Sequence, residues 1–392
     1  MTTVGPSLRE TLAQRTGTRA EDWHLVFRAR HGLLVVLREL KALRGEGSVV
    51  TQLLTCCTAV DPIVTAGLVP VYADVDAQTM AVDPQTLPDV ANLRAIMCQH
   101  TFGYIDQAST EALRQRADEA GALLLEDCAH CVGRLATDAD GAPLADVSFH
   151  SFGVEKMLPT YFGGAVYVNP RMRDGALRQR IVDALQGLPE PGGRLARAMR
   201  SYRTQIRVLN HLPRPLARGL RSLLASQHLF EPAISGLEMA GGVAHEPMAA
   251  GAWAEASVAQ PLAALPASEE LRVGALRAYA RELAGVPGIR TSELMFGSAQ
   301  PLLRLPLNVA TDAAADELIA AIGALGLYAV PWYRPLLYPG VTDDAAYGYD
   351  RSLAGLSRTA ELARGAVALP CDLSDEQVAA VAQAIRSVVA GG

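Results

Sequence analysis

Lysine is almost absent from this chain of 392 residues, which has 35 Lys plus Arg but only two lysines, Lys41 and Lys156. An arginine can replace a surface lysine as a charge, but it cannot form an imine with an aldehyde because its guanidinium stays protonated. Lys41 lies in the polar run KALRGEGS, which is typical of a solvated helix end, whereas Lys156 lies between two apolar segments. Two interpretations of Lys156 are open: a lysine that reaches solvent by chance, or a Schiff-base lysine with a lowered pKa.

Long apolar runs and an excess of positive charge are also missing. No uninterrupted apolar run approaches the length of a membrane span, and the N-terminus MTTVGPSLRETLAQRTGTRAEDW has no apolar core of the kind that a signal peptide needs. The net charge of −6 disfavours a general nucleic-acid binder, and the 50% hydrophobic content is typical of a globular protein. We therefore expect a cytoplasmic protein that binds no nucleic acid.

Cysteine is sparse, with six residues in the whole chain. This distribution is typical of reduced thiols in the cytosol. Cys128 and Cys131 form one CxxC pair, but a zinc site needs further ligands at matching spacing, and neither a second CxxC nor an HxxxH is present. We therefore expect no metal site.

Short apolar runs alternate with amphipathic segments from about residue 26 onward. The pattern predicts strands at 48–54, 69–75, 93–100 and 122–125, with helices at 32–44, 61–67 and 110–120 between them. Such alternation indicates βαβ units and a doubly wound α/β domain, in which ligands bind at the carboxyl ends of the strands. His100, Asp127 and Ser151 all lie at or just after predicted strand ends.

Changes in composition divide the chain into four parts. We expect an N-terminal arm at 1–24, a large α/β domain at 25–170, a basic and mainly helical insertion at 171–245, and a smaller α+β domain at 246–392. Residues 171–232 of the insertion contain twelve arginines and four acidic residues. Two interpretations of the insertion are open: helices packed on the domain with a solvated arginine face, or a basic cap that meets an anionic group. That group could belong to a nucleotide diphosphate, an acidic carrier protein or a membrane surface.

Pyridoxal phosphate (PLP) is a cofactor whose chemistry matches the residues around Lys156. Its aldehyde needs a lysine, its ring nitrogen needs a carboxylate, and its phosphate needs hydroxyl and backbone N–H groups. Because the aldehyde and the phosphate arm are on neighbouring ring carbons, one loop can supply both the lysine and a phosphate ligand. Ser151 and Lys156 are five residues apart, and Asp127 follows a buried strand elsewhere in the domain. A buried aspartate there stays ionised only if a cation such as the pyridinium pairs with it.

The same segments resemble a known family. LLLEDCAHCVGR followed by SFHSFGVEKMLPTYFGGAVYV is similar to the signature of the DegT/StrS-type sugar aminotransferases. AGLVPVYADVDAQTMAVDP, QHTFGYIDQ and RTAELARGAVALPCDLSDEQVAAV resemble further parts of that family, so the likeness spans about residues 25–170 and 245–390. The resemblance implies a fold-type I PLP-dependent transferase: a large doubly wound domain with a mainly parallel sheet, and a smaller C-terminal α+β domain.

By this resemblance, Lys156 is the Schiff-base lysine and the proton shuttle, and Asp127 pairs with the ring nitrogen. His130 falls where the family has Gln or His against the cofactor, and Ser151 is expected to bind the phosphate. His130 has a second interpretation, as an ordinary hydrogen-bonded histidine.

Four other positions carry weaker assignments. Arg30 and His31, within ARHG, fall where the family offers phosphate ligands, and Cys56 replaces the aromatic residue that usually stacks on the cofactor ring. His245 falls where the partner subunit's Asn would reach the phosphate, unless it is an ordinary hydrogen-bonded histidine. Tyr333 matches a loop near the substrate, although an exposed loop tyrosine would look the same.

Three functions are compatible with the sequence. The first is a PLP-dependent aminotransferase that takes nitrogen from an amino acid, by resemblance glutamate, and gives it to a nucleotide-linked ketosugar. The second keeps PLP but acts on a cyclitol or another secondary-metabolite ketone, or catalyses elimination. The third is a ligand- or membrane-binding protein without catalysis. The resemblance also implies a homodimer in which each subunit completes the neighbour's active site.

Overall fold

The computed structural model describes residues 6–391, so residues 1–5 of the predicted N-terminal arm and Gly392 lie outside the described residues. Its large sheet has seven strands in the order β1-β7-β6-β5-β4-β2-β3. These strands are β1 (Trp23–Val26), β2 (Ser48–Thr51), β3 (Val69–Tyr72), β4 (Leu93–Gln99), β5 (Leu123–Asp127), β6 (Val147–Ser151) and β7 (Gly164–Val168). The five strands from β6 to β3 are mutually parallel, whereas β7 is antiparallel to both of its neighbours.

Alternate residues of the central strands are buried in two separate apolar clusters. In β5, Leu123 and Leu125 belong to one cluster and Leu124 to the other. Successive side chains of a strand point to opposite faces, so both faces of this sheet are covered. Helix α1 (Leu8–Thr16) precedes the sheet, and the helices between its strands are α2 (Ala29–Arg44), α3 (Asp61–Thr65) and α4 (Gln107–Ala120). The predicted doubly wound, mainly parallel architecture is confirmed.

The basic insertion is helical, with α5 (Gly175–Gln186), α6 (Gly193–His211) and α7 (Arg214–Ser226). An arginine-rich helix is predicted at 215–225 from leucines on one face, and the structure contains it as α7. No helix in residues 6–391 combines the length and the apolar composition that crossing a membrane requires.

The C-terminal part packs helices on a small antiparallel sheet of order β10-β9-β8. Its elements are α8 (Ala252–Ala263), α9 (Leu265–Glu282), β8 (Ile289–Thr291), α10 (Glu293–Gly297), β9 (Arg304–Val309), α11 (Asp312–Ala324), α12 (Ser357–Ala363), β10 (Ala366–Pro370) and α13 (Asp375–Gly391). A strand is expected from the sequence at 301–306, whereas β9 begins three residues later at Arg304. Its register is set by pairing on both sides, with β10 and β8.

The sequence predicts an N-terminal arm that ends at residue 24, whereas strand β1 already begins at Trp23. Its pairing with β7 makes residues 23–26 an edge of the large sheet.

Candidate active site

One cavity of about 250 Å³ opens at the carboxyl ends of the parallel strands. Its walls come from the start of α2, the loop after β2, the ends of β4, β5 and β6, and the loop before β7. The segment after α7 and the small domain close the remaining sides with Ala233, Ile234, Trp332, Tyr333 and Tyr338. Of the nine residues singled out from the sequence, seven line this cavity: Arg30, Cys56, Asp127, His130, Ser151, Lys156 and Tyr333. His31 and His245 do not.

Lys156 lies in the loop that joins β6 to β7, and its half-buried side chain faces the cavity. Desolvation lowers the pKa of its amine, while the nearby Cys56, Asp127 and Glu155 act in the opposite direction. Among the described residues, no carboxylate forms an ion pair with it, and its Nζ lies 5.9 Å from the centre of the Trp332 ring. An amine with a lowered pKa is more often neutral, which is the form that attacks an aldehyde.

Asp127 is the last residue of β5 and reaches the cavity from the neighbouring strand end. Its Oδ1 accepts a hydrogen bond from the backbone N–H of Ala129, at 2.9 Å. Burial raises the pKa of this carboxyl, although Ala129 and Lys156 oppose the shift. A cationic group placed against Asp127 would therefore favour its ionised form.

Ser151 ends β6, the strand next to β5, and lines the same cavity. Its Oγ accepts a bond of 3.3 Å from the backbone N–H of Gly153, and its hydroxyl hydrogen is free to turn toward a ligand. The hydroxyl, the amine and the carboxylate thus share one cavity, as expected from the sequence.

His130 lies parallel to the indole of Trp332, with ring centres 5.4 Å apart and an interplanar angle of 4°. Its Nδ1 accepts a hydrogen bond from the backbone N–H of Phe102, so the neutral ring carries its proton on Nε2. Burial is the main cause that holds the pKa of His130 well below its usual range, and the positive charges of Lys156 and Arg304 add to it. A neutral, flat ring therefore forms part of the cavity wall.

Cys56 is the one half-buried cysteine of the six, and the other five are buried. Its Sγ lies 3.1 Å from the hydroxyl of Thr58. A hydrogen bond from Cys57 and the positive charge of Lys156 outweigh burial and lower the pKa of the Cys56 thiol to about 6. At the position where the family usually has an aromatic residue, the cavity thus has a thiol with a lowered pKa beside an amine.

Arg30 lines the cavity, but its guanidinium is bound by other residues of the protein. Its guanidinium pairs with the buried Glu238 and donates a bond of 2.7 Å to the carbonyl of Ala233. Arg30 thereby ties the start of α2 to the segment that follows the basic insertion.

Tyr333 is 3% exposed, so the alternative of an exposed loop tyrosine is excluded. Its ring lies between Phe102 and Trp332, with ring centres 5.7 and 5.8 Å away.

His31 was expected to offer a phosphate ligand, but the structure does not place it in the cavity. Its Nε2 lies 3.1 Å from the carbonyl of Ala244, its Nδ1 accepts from the backbone N–H of Met248, and its own N–H bonds to the carbonyl of Arg28. Burial keeps the pKa of this histidine near 3. Its hydrogen-bonding groups are thus used to fix α2 against residues 244–248.

His245 also lies outside the cavity within this chain. Its Nε2 is 3.0 Å from a carboxylate oxygen of Glu231, and that hydrogen bond raises the pKa of the histidine. The other oxygen of Glu231 pairs with Arg28, at 3.2 Å. Within one subunit, His245 is therefore a hydrogen-bonded histidine.

Trp332 was not singled out from the sequence, yet it touches more of the site than Tyr333 does. It contacts His130, lies below Lys156, and its buried Nε1 has no hydrogen-bond partner among the described residues. Its position in PWYRPLLYPG, beside the matched tyrosine, was the available signal.

Two buried residues, His100 and Glu126, connect the ends of β4 and β5. His100 Nε2 lies 2.7 Å from Glu126, whose carboxylate also accepts bonds from Ser148 Oγ and from the N–H of Ala136. Cys128 is close enough to complete a possible ligand set with these two residues. Since both oxygens of Glu126 are already engaged, we assign the pair to positioning β4 and β5.

The comparisons with known proteins agree with this geometry. Residues 26–189 match the DegT/DnrJ/EryC1/StrS aminotransferase family. The chain is 29% identical over 139 residues to GDP-perosamine synthase of Vibrio cholerae, which covers 35% of this chain and 37% of the relative. It is 29% identical over 145 residues to dTDP-4-amino-4,6-dideoxy-D-glucose transaminase of Shigella dysenteriae, covering 36% and 38%. A third match is L-glutamine:2-deoxy-scyllo-inosose aminotransferase of Streptomyces paromomycinus, 29% identical over 150 residues and covering 38% and 34%.

These sequence matches span less than half the length of each relative, whereas the structural matches span nearly all of the chain. The Helicobacter pylori aminotransferase involved in the biosynthesis of pseudoaminic acid superposes with a TM-score of 0.69 at 16% identity, over 100% of this chain and 93% of that one. The aminotransferase TlmJ from Streptoalloteichus hindustanus gives a TM-score of 0.66 at 24% identity, over 99% and 92%. The predicted fold class is thus confirmed, and the segment that carries Asp127 and Lys156 is the one that is similar to the DegT/DnrJ/EryC1/StrS aminotransferase family.

Proposed function

We propose that the chain is a PLP-dependent aminotransferase that transfers an amino group from an amino acid to the keto group of a nucleotide-linked sugar. The observation that carries this proposal is the meeting of Lys156, Asp127 and Ser151 in one cavity at the strand ends. The names of the perosamine synthase and of the dTDP-sugar transaminase support a sugar as the acceptor.

The residues of the cavity fit PLP by their chemistry. One amine, one carboxylate on the neighbouring strand end and one hydroxyl five residues before the amine correspond to aldehyde, ring nitrogen and phosphate. When bound, PLP supplies an aldehyde for the lysine and a ring that accepts electron density from the substrate.

Each side chain then has a defined task. Lys156 would hold the aldehyde, and its Nζ, whose pKa is lowered by desolvation, would accept and return a proton. Asp127 would keep the ring nitrogen protonated, because the ion pair would offset the burial of both charges. Ser151 would bind the phosphate, and His130 and Cys56 would help to hold the ring. The buried Tyr333 and Trp332 face the substrate and exclude water from the small-domain side.

Subunit arrangement and location follow the family resemblance. We propose a cytoplasmic homodimer in which each subunit completes the neighbour's site, with His245 reaching the phosphate across the interface. Sedimentation analysis checks this proposal, and a monomer under assay conditions would contradict it.

The test of the activity is an absorption spectrum of the purified protein with PLP, before and after an amino donor is added. We expect the visible band that PLP acquires when a lysine binds its aldehyde, and we expect glutamate to remove that band. Glutamine is tested beside glutamate, because one relative is named for L-glutamine as donor.

The chain offers a matched control, because Lys41 is its only other lysine and donates a hydrogen bond to the carbonyl of Gly67. Lys156→Ala should lose the band and the turnover, whereas Lys41→Ala should keep both. A protein that shows no band would support the non-catalytic alternative, in which the fold binds a ligand only.

A second candidate retains PLP but changes the reaction or the acceptor. It is favoured by Cys56, since a thiolate at this position does not stack on a ring as an aromatic residue does. If the band forms and no donor removes it, elimination becomes the better account. If donors react but nucleotide-linked ketosugars are not aminated, a cyclitol or another secondary-metabolite ketone is the acceptor to test.

A further inference from the structure

The basic hairpin, which we define as α6, α7 and their connection (residues 193–226), carries an exposed positive charge without counter-charges. Residues 191–230 contain eight arginines and no Asp or Glu. Seven of these arginines have exposed side chains, namely Arg194, Arg197, Arg200, Arg203, Arg207, Arg218 and Arg221. In the part of the chain that the structure describes, none of the seven forms an ion pair, although Arg173 and Arg180 just before the hairpin do.

Large apolar side chains are exposed on the same hairpin. Leu216 and Leu223 of α7 are 63% and 59% exposed, and Val208 of α6 is 50% exposed. Their neighbours Leu220 and Leu224 pack against the protein core, so α7 lies on the surface with part of its leucine face still uncovered. Exposed leucines among unpaired arginines are typical of helices that lie in the interface of an anionic bilayer.

A groove of about 480 Å³ runs between the two helices and is lined by both arginine and apolar side chains. Arg194 and Arg197 provide donors for an anionic group, while Leu224 and Leu229 form an apolar wall. The buried Oε1 of Gln205, also in this groove, has no hydrogen-bond partner among the described residues. Paired guanidinium groups beside an apolar wall match the junction between a lipid phosphate and its acyl chains.

The hairpin is joined directly to the cavity. Tyr202 of α6 packs on Phe162 and Phe230, with ring centres 5.2 and 5.3 Å away. The chain then reaches Ala233 and Ile234, which form part of the cavity wall three residues after Phe230.

We propose that the basic hairpin binds the surface of an anionic phospholipid bilayer and holds the enzyme there, with its leucines at the acyl boundary and its arginines on lipid phosphates. A second copy of the chain fits this surface less well, because a two-fold contact centred on α7 would bring the same arginines together. Nucleic acid fits less well too, because it offers no apolar layer for Leu216 and Leu223.

The test is cosedimentation of the full chain with vesicles of phosphatidylcholine alone and of phosphatidylcholine with about one third phosphatidylglycerol. We expect binding to the anionic vesicles only, with release at about 0.5 M salt because the charges are then screened. The triple variant Arg194→Gln, Arg197→Gln and Arg218→Gln should bind roughly a hundredfold more weakly, since each arginine contributes about fivefold.

The matched control changes the same charge elsewhere, at the exposed Arg9, Arg277 and Arg364, each to Gln. It should bind as the wild type does. Leu216→Ser with Leu223→Ser should weaken binding about tenfold or more, whereas Leu294→Ser with Leu325→Ser, at residues 49% and 47% exposed, should not. All variants are on the surface, and circular dichroism is used to check that they fold.

Four outcomes would overturn the proposal. Equal binding to neutral and anionic vesicles, or unchanged binding of the arginine variant, would remove the electrostatic basis. Capture by polyglutamate but not by vesicles would indicate an acidic protein as the partner. A leucine variant that lowers the sedimenting mass without affecting vesicle binding would indicate that a second copy covers the face. None of these measurements depends on the proposed aminotransferase activity.

Discussion

Cys56 and Lys156, which both line the cavity, shift each other's pKa. Each favours the ionised form of the other, since the amine lowers the pKa of the thiol and the thiolate opposes the lowering of the amine's pKa. Asp127 acts on Lys156 in the same direction as Cys56 does. Cys56, Asp127 and Glu155 thus all oppose the lowering of the pKa of Lys156 by desolvation.

Alkylation of Cys56 tests this arrangement. With a pKa of about 6, its thiol is mostly a thiolate at neutral pH, so iodoacetamide should modify it first, with a rate that rises through about pH 6. The other cysteines are buried. Mass spectrometry of the modified peptide measures the rate, and Cys56→Ser is the control. A rate that rises only above about pH 8, as for a free thiol, would contradict the assignment. If PLP binds as proposed, its presence should slow the reaction.

Asp127→Asn tests the second anionic group. The amide cannot hold the ring nitrogen protonated, so the rate of the half-reaction with the amino donor should fall by about a hundredfold or more. The band with PLP should persist, because Lys156 is unchanged. Stopped-flow spectroscopy gives the rate. A variant as fast as the wild type would show that another group pairs with the ring.

At the scale of elements, α2 packs so closely against β7 that residue 32 has no room for a side chain. A Cβ built at Gly32 would lie 2.2 Å from Cγ2 of Val166, which belongs to the fully buried strand β7. Since α2 begins at the cavity with Ala29 and Arg30, this contact also sets the position of the cavity wall.

Gly32→Ala should therefore destabilise the protein. Alanine is favoured in a helix by about 1 kcal/mol, but the clash with a stiff valine should cost more, for a net loss of about 1 to 2 kcal/mol. Gly274→Ala in α9 is the matched control, because no atom lies within 4 Å of its Cβ position. It should increase stability by about 0.5 to 1 kcal/mol. Denaturant unfolding measures both, and a stabilised Gly32→Ala would contradict the packing described.

At the scale of the whole molecule, Asp74 joins the large domain to the small one. Its carboxylate, just after β3, accepts the backbone N–H groups of Arg358 and Thr359 and the hydroxyl of Thr359, at 2.7 to 2.9 Å. Burial raises the pKa of Asp74, but these hydrogen bonds outweigh it and the pKa is lowered overall. A second link runs from Arg134 to Gln300 and to the carbonyl of Pro301.

Asp74→Ala should lower the free energy of unfolding by about 3 kcal/mol at neutral pH, because three donors lose their acceptor. The folded pKa lies below the value of about 3.9 in the unfolded chain. The stabilisation is therefore complete well above pH 4 and is lost as the pH falls through the folded pKa. Unfolding measured from pH 7 down to about pH 3 should show the wild type approaching the variant. Alanine at the exposed Asp140 should change stability by less than about 0.5 kcal/mol at any pH. A gap that does not shrink in acid would contradict the ionic contribution.

Local patterns in the chain predict the fold class and the convergence of Lys156, Asp127 and Ser151. Strand and helix periods are local properties of the chain, so strands β2 to β5 and the helices between them could be predicted from them. The carboxyl ends of parallel strands meet at one edge, so Asp127 and Ser151 were expected to converge there with Lys156 in the next loop. The rarity of lysine added a chemical signal that does not depend on folding.

The surroundings of these residues depend instead on contacts between segments that are distant in the chain. His31 and His245 match family positions in the sequence, yet their partners Ala244, Met248 and Glu231 place both outside the cavity of this chain. Arg30, an expected phosphate ligand, is held by Glu238, about 200 residues away along the chain. Trp332 becomes part of the site because the small domain packs over the strand ends. Contacts between distant segments depend on packing and on the geometry of loops, and a local pattern does not encode them.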